Sequence, residues 1–310
     1  MLERPDRPAG WFFHPRARPV EEPLDLLHRL DDGLEVHMVF ARDGAYVPAV
    51  IQRPAGEGPF PAVMVMHGGS GGLGWAFLAE DLRRKGFLFA RLLEEGYLVC
   101  YTEGRREVED AYGTDHPGPL DYEDVAEVFG YLGRLPDVDA SRIGTFGVSH
   151  GGELQMKLLT QLGGGPAAAV PTEPAVIEYL SLQHHGGSED AGQDWTPEDS
   201  SGPRSEEMLQ YRRHVEDGEL DFERAWERIQ RVPADVPILV LGRDDDHLQG
   251  LFNKLHELLE RAGKRAEWDT FDHPEHYYQW GNEDGSPPDA IQEATLARIV
   301  GFLNANVRDR

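Results

Sequence analysis

Five residues carry the clearest chemical signal in this chain: Gly147-Val148-Ser149-His150-Gly151, a G-x-S-x-G pattern. A serine set in a sharp turn between a strand and a helix holds its hydroxyl clear of the backbone, ready to attack a carbonyl carbon. The flanks fit that geometry. Arg142-Ile143-Gly144-Thr145-Phe146 is a short β-compatible run, and Leu154, Leu158, Leu159 and Leu162 recur at helical spacing until Gly163 to Gly165 stop them. Such a turn brings positions 147 and 151 so close that side chains there would clash, which is why both are glycine.

A serine hydroxyl is a weak nucleophile until a base takes its proton, and the base must itself be oriented. In an open parallel sheet the groups that do this gather beyond the carboxyl ends of the strands. Two regions qualify. Gly242-Arg243-Asp244-Asp245-Asp246-His247-Leu248 follows the apolar run Pro237–Leu241, and Asp272-His273-Pro274-Glu275-His276-Tyr277-Tyr278 follows Ala266–Phe271. Each offers more than one candidate, three aspartates in the first and two histidines in the second. A negative charge developing on a carbonyl oxygen needs donors aimed at it. His67-Gly68-Gly69-Ser70-Gly71-Gly72, after the run Ala62–Met66, can bring a backbone N–H near Gly69 to that position, and the His150 N–H lies at the positive end of the helix after Ser149.

The elements that must position these groups alternate along the chain. A short helix is expected around Leu24 to Leu30, in an N-terminal arm or cap of residues 1–34. Glu35–Arg42 and Tyr46–Gln52 read as a hairpin turning at Asp43-Gly44. Continuously apolar strands follow at Ala62–Met66, Leu98–Tyr101, Ala167–Val170 and Pro237–Leu241, with a last strand at Ala266–Phe271. Helical stretches separate them at Phe77–Glu95, Tyr122–Leu135, the segment after Ser149, and Asp289–Asn306. This predicts an α/β fold for residues 35–310, a mostly parallel sheet of about eight strands with helices on both faces. Residues 184–231 break the alternation and read as a lid or a surface excursion.

Composition narrows the function. With 56 acidic against 30 basic residues the formal charge is −26, which repels nucleic acid and anionic membrane surfaces alike. No run of about 18 apolar residues spans a bilayer, Met1–Val20 shows no apolar signal region, and a cytoplasmic location is expected. The single Cys100 excludes an intrachain disulfide and sits in a strand-like apolar run as a core residue. His184-His185 and the histidines near 273–276 lack a compelling metal-ligand spacing, so no metal and no cofactor is expected. A homo-oligomer is compatible with the composition.

The chain resembles α/β-hydrolases of the dienelactone hydrolase and prolyl oligopeptidase-like branch. The likeness runs from about Glu35 to the C-terminus, through Pro59–Gly69, Ala90–Tyr97, Val138–Gly144 and Gly147–Gly152. It implies an α/β-hydrolase fold and a Ser…Asp…His order. The resembling acid loop, Gly-x-x-Asp-x-x-Val, places the acid on Asp245, with Leu248 in the apolar position. The histidine before an aromatic pair is His276, although Glu275 stands where the family often has glycine. The resemblance thus implies catalytic Ser149, Asp245 and His276, with oxyanion donors at Gly69 and His150. Trp75, Trp195 and Tyr277 are candidates to line a substrate pocket, each competing with core packing. The expected activity is carboxylic ester cleavage through an acyl-enzyme. A small-peptide or amide hydrolase and a catalytically silent binding protein are the alternatives. Oligopeptidases of this branch carry a large additional N-terminal domain, and the roughly 35 residues ahead of the expected fold are too few for one.

Overall fold

The computed structural model describes residues 26–30, 32–41, 46–69, 73–84, 86–104, 119–161, 165–182, 214–282 and 284–310. Among these, nine strands form one sheet in the order β1-β2-β3-β5-β4-β6-β7-β8-β9. They are β1 (Leu26–Arg29), β2 (Glu35–Phe40), β3 (Tyr46–Gln52), β4 (Phe60–Met66), β5 (Leu98–Thr102), β6 (Val138–Val148), β7 (Ala168–Thr172), β8 (Ile238–Arg243) and β9 (Ala266–Phe271). The first three run antiparallel to their neighbours. All pairs from β5 across to β9 are parallel. The helices are α1 (Trp75–Arg84), α2 (Phe87–Glu94), α3 (Pro119–Leu132), α4 (His150–Gln161), α5 (Phe222–Arg231), α6 (Gln249–Arg261) and α7 (Ala290–Leu303).

The two-residue period of the central strands divides the core. Val63 and Val65 of β4, with Val99 and Tyr101 of β5, point to the face covered by α1, α2 and α7. Met64, Met66, Leu98 and Cys100 point to the opposite face, against α3 and α4. A third apolar cluster joins α4, α5 and α6 to β7 and β8. With both faces covered, every residue of β4 and β5 is buried, which is why these strands read as unbroken apolar runs rather than alternating ones. Burial pushes the Cys100 thiol up to about 12, in keeping with an inert core residue.

Helix α6 is not anticipated in the sequence reading, and two other elements depart from it. Leu26–Arg29 is not helical: it pairs with β2 as a ninth strand, because the exposed edge of β2 offers unpaired backbone groups that a four-residue segment can satisfy. The expected helix from Phe77 to Glu95 is two helices, α1 and α2, separated at Gly86, where a Cβ would meet the Leu82 carbonyl oxygen at 2.7 Å. The hairpin turn at Asp43-Gly44 lies outside the described residues, as do residues 1–25 and all of 184–213, the larger part of the expected lid or excursion. Beyond that interval, a 3-10 turn at Asp217–Glu219 leads into α5, whose Ala225 and Ile229 bury against the α4–α6 cluster.

The turn from β6 into α4 is as tight as its glycines imply. A Cβ on Gly147 would stand 2.2 Å from the Gly151 carbonyl oxygen, and one on Gly151 would stand 2.2 Å from the Met66 oxygen and 2.7 Å from that of His67. These obstacles are backbone atoms at the head of α4 and the end of β4 and cannot swing aside. Gly151→Ala is therefore expected to lower stability by about 3 kcal/mol or more, at the upper end for overpacking. A urea unfolding curve superimposable on that of the unmodified chain would show that the turn is not this close.

Candidate active site

Five loops meet beyond the carboxyl ends of β4, β6, β7, β8 and β9, the place where an open α/β sheet gathers its functional groups. Ser149 sits at the turn between β6 and α4 with φ 54, a left-handed conformation that a non-glycine residue adopts only when its surroundings force it. The surroundings do so with hydrogen bonds. The Ser149 N–H donates to the Thr172 carbonyl at 2.9 Å, and its own carbonyl accepts from the N–H groups of Gly152, Glu153 and Ala175. The strain holds the hydroxyl at the head of α4, facing the other loops.

His276 lies in the loop after β9. Its Nδ1 is 2.9 Å from Asp246 Oδ2, and its ring meets those of His247 at 5.0 Å and Tyr277 at 4.3 Å. Tyr277, forced to φ 68, turns its hydroxyl into hydrogen-bond contact with the Ser149 side chain. Its ring covers Gly68, where a Cβ would come within 2.9 Å of it. The expected serine and histidine thus share one site, and Tyr277, expected to line the substrate pocket, stands between the serine and the glycine-rich loop.

The carboxylate beside the imidazole in the loop after β8 is not the one expected. Asp246, not Asp245, reaches the imidazole. Asp245 occupies a left-handed turn position after β8 (φ 56), and its side chain is exposed. One residue further, the chain has turned inward, and Asp246 is completely buried. Burial works to raise the Asp246 carboxyl, but the His276 hydrogen bond, the charges of His276 and His247, and the Leu248 N–H at 2.7 Å hold it well below the usual carboxylate range. Arg243 adds two hydrogen bonds to Oδ2, at 3.1 and 2.6 Å, and donates to the His273 carbonyl, tying the acid loop to the histidine loop.

His273 has another function. It accepts the Glu275 N–H at Nδ1 and stacks on Tyr278 at 4.5 Å, bracing the loop that carries His276. Glu275 points to solvent. The second carboxylate at the imidazole is Glu173, immediately after β7, with Oε2 2.9 Å from His276 Nδ1. Sequence reasoning missed it, although its position one residue beyond a strand is the signal that exposed the acid and histidine loops. Against burial, which alone would lower it, the charge of Glu173 and the bonds to Asp246 and Glu173 raise the His276 pKa to about 9.

At the glycine-rich loop, Gly69 has φ +74, a conformation suited to glycine that presents peptide N–H groups. His67 closes the start of the loop, its N–H bonded to the Thr102 carbonyl and its ring edge-on to Phe77 at 5.1 Å. Glu103, buried just past β5, accepts the N–H groups of Gly74 and Leu73 where the loop enters α1. Burial pushes its carboxyl up to about 7, the two N–H donors offsetting part of the rise. His150 begins α4, so its N–H lies at the positive end of that helix. Trp75 is half-buried and packs against Val36, Met38 and Tyr46 of the core. Trp195 lies outside the described residues.

Asp246, His247 and His276 bring potential ligand atoms within 4.8 Å of one another. The donor set does not suit a resident cation. Arg243 already places its guanidinium on the Asp246 oxygen that faces His276, supplying the positive charge there.

A mostly parallel sheet with a serine at the β6–α4 turn and a carboxylate–histidine pair after β8 and β9 defines an α/β-hydrolase. Solved structures share this fold. The esterase of Pyrobaculum calidifontis superimposes with a TM-score of 0.60 at 20% identity, covering 92% of this chain and 87% of that one. A thermostable esterase from Pseudomonas putida ECU1011 gives 0.61 at 17%, covering 90% and 85%. Carboxyl esterase 2 of the mycorrhizal fungus Tuber melanosporum gives 0.60 at 17%, covering 91% and 88%.

Within this superfamily the chain belongs to the X-Pro dipeptidyl-peptidase (S15) family, whose pattern matches residues 43–283. A 135-residue stretch is also 33% identical to mitochondrial acyl-coenzyme A thioesterase 2 of Rattus norvegicus, covering 44% of this chain. The match spans about a quarter (26%) of that protein's length. No helix among the described residues is long and apolar enough to cross a membrane.

Proposed function

We propose that this chain is a serine hydrolase that cleaves carboxylic esters through an acyl-enzyme. The observation that carries the reading is the strained Ser149, its hydroxyl against that of Tyr277, whose ring lies beside an imidazole that Asp246 holds at 2.9 Å. His276 takes the Ser149 proton as Oγ bonds to the ester carbon, and the imidazolium rests against Asp246. The carbonyl oxygen becomes an oxyanion facing the backbone N–H groups of Gly69 and His150. Collapse breaks the bond to the alcohol oxygen, which takes the proton from His276. Water then repeats the sequence on the acyl-serine and releases the acid.

The rim of the site supports an apolar substrate. Among the described residues the exposed large hydrophobic side chains are Leu73, Phe77 and Tyr277. All three border the glycine-rich loop: Leu73 at its exit, Phe77 against His67, and Tyr277 over Gly68. Exposed apolar side chains gathered at one place mark a binding surface, here suited to an aliphatic or aromatic acyl or alcohol group. The esterase fold neighbours and the thioesterase likeness support acyl transfer to water. One cysteine in 310 residues supports a cytoplasmic location, and a charge of −26 supports a protein that binds neither nucleic acid nor anionic membrane surfaces.

The family description favours a second reading, cleavage of X-Pro peptides. A panel of p-nitrophenyl esters of graded acyl length, run beside an X-Pro p-nitroanilide, separates the two. The expected result is ester turnover that rises with acyl length before falling, with kcat/KM on the anilide at least about a thousandfold lower. Comparable turnover of the anilide would replace the esterase reading with the peptidase one.

A further inference from the structure

We propose that Glu173 is a second carboxylate of the catalytic array, a positioning residue that shares the His276 Nδ1 proton with Asp246 and sets how basic the imidazole is. The proposal rests on the serine hydrolase reading above and assigns a function to a residue that the Ser–His–Asp set leaves out.

Glu173 is built into the site. It stands directly after β7 with φ 45 and no exposed surface, and its N–H donates to the Leu241 carbonyl of β8 at 2.8 Å. On either side of it, Thr172 and Ala175 make the backbone hydrogen bonds that hold Ser149. Oε2 does two things at once: it lies 2.9 Å from His276 Nδ1, and it accepts the Tyr277 N–H at 3.1 Å. One carboxylate oxygen therefore fixes both the proposed base and the strained residue whose hydroxyl touches Ser149. Oε1 has no hydrogen-bond partner among the described residues, and Arg243 Nε is 3.9 Å away.

A buried carboxylate with an unsatisfied oxygen is costly unless its charge is compensated. The groups facing His276 show where the compensation comes from. The β7 end supplies Glu173. The loop after β8 supplies Arg243, Asp246 and His247, whose Nδ1 lies 3.2 Å from Asp246 Oδ1. The head of α4 supplies Ser149 and the His150–Glu153 pair at 3.4 Å. The histidine's own loop supplies His273, the exposed Glu275, and Tyr277. Two carboxylates, Asp246 and Glu173, surround one fixed cation, Arg243. The inner cluster is neutral when His276 is protonated and carries a net negative charge when it is not.

The consequence has a definite sign. A general base must be unprotonated to act, so kcat/KM should climb with rising pH through about 9, where His276 loses its proton. Asp246 supplies one of the two carboxylate oxygens that lie 2.9 Å from Nδ1. Glu173 adds its negative charge and the anchor on Tyr277, holding the resting enzyme in the imidazolium form at neutral pH. Glu173→Gln removes the charge and keeps an oxygen able to accept from Tyr277.

The experiment is the pH profile of kcat/KM for a p-nitrophenyl ester, with and without Glu173→Gln, beside an NMR titration of the His276 ring in both proteins. Glu173→Gln is expected to move the rising limb and the NMR midpoint down together by about one to two pH units, the size expected for loss of a neighbouring carboxylate. Activity at pH 7 should then rise by about tenfold per pH unit of that shift, as the unprotonated fraction of His276 grows. An unmoved limb and midpoint in a folded variant would overturn the proposal, leaving Glu173 a structural residue. Loss of activity by about a thousandfold or more would overturn it differently, making Glu173 the principal acid. If the variant does not fold, the unmodified chain still decides: a His276 midpoint at or below 6.5 rules out the two-carboxylate array. The NMR titration does not depend on ester turnover, so it stands apart from any failure of the esterase reading.

Discussion

Ser149→Ala should lower ester turnover by about 10⁴- to 10⁶-fold, the range seen when a serine hydrolase loses its nucleophile. The loss should be kinetic and not structural. The hydrogen bonds that force the turn use the Ser149 backbone N–H and carbonyl, and an alanine keeps both. Alanine meets the same left-handed strain at φ 54, and the single deleted oxygen interacts with the half-exposed Tyr277. Thermal unfolding should therefore shift by no more than about 1 kcal/mol equivalent, as for a substitution that breaks no buried network. The residual rate reports what Gly69, His150 and the apolar rim contribute by binding alone. Steady-state rates measured beside a melting curve test the point. Turnover within tenfold of the unmodified chain would remove Ser149 from the chemistry.

The second large effect separates two adjacent aspartates. Asp246→Asn is expected to lower kcat by about 10²- to 10⁴-fold, because an amide presents the wrong hydrogen-bonding group to Nδ1 and cannot stabilise the imidazolium. Glu173 keeps one carboxylate oxygen on the imidazole, which places the expected loss toward the lower end. The same change leaves the buried Arg243 without its charged partner and should cost about 3 kcal/mol of stability. Asp245→Asn should do almost nothing. The side chain is exposed, and asparagine tolerates the left-handed turn as well as aspartate does. Rates and unfolding midpoints of the two variants, measured side by side, decide the matter. A large kinetic loss confined to Asp245→Asn would return the acid to that position.

The confusion between Asp245 and Asp246 has a simple physical origin. Gly242-Arg243-Asp244-Asp245-Asp246 places three identical side chains in a row. Which one faces inward depends on the rotation of a tight turn, and a turn that places one residue at φ 56 swings the next from solvent to core. No spacing rule counts that rotation. The same limit applies to Leu26–Arg29. Its leucines suit a helix locally, and only the open edge of β2 makes it a strand. Glu173 is the clearest case, since its partner at position 277 is more than a hundred residues further along the chain.

Other features were legible because short-range physics dictates them. Short unbroken apolar runs rich in β-branched residues, such as Ala62–Met66 and Ile238–Leu241, suit strands covered on both faces, and they form them. Alternation of such runs with helices leads to a parallel sheet, and the sheet leads to a site at its carboxyl edge. Gly147 and Gly151 announce a close approach that the structure puts at 2.2 Å. By itself, then, the sequence determined the fold, the position of Ser149 and the loops that converge on it, because these follow from periodicity and sterics along a continuous stretch of chain. Only the tertiary structure decided which carboxylates meet His276. That choice depends on side-chain directions summed over β7, β8 and β9, and on the charge balance of Asp246, Glu173, Arg243 and His276 in one buried space.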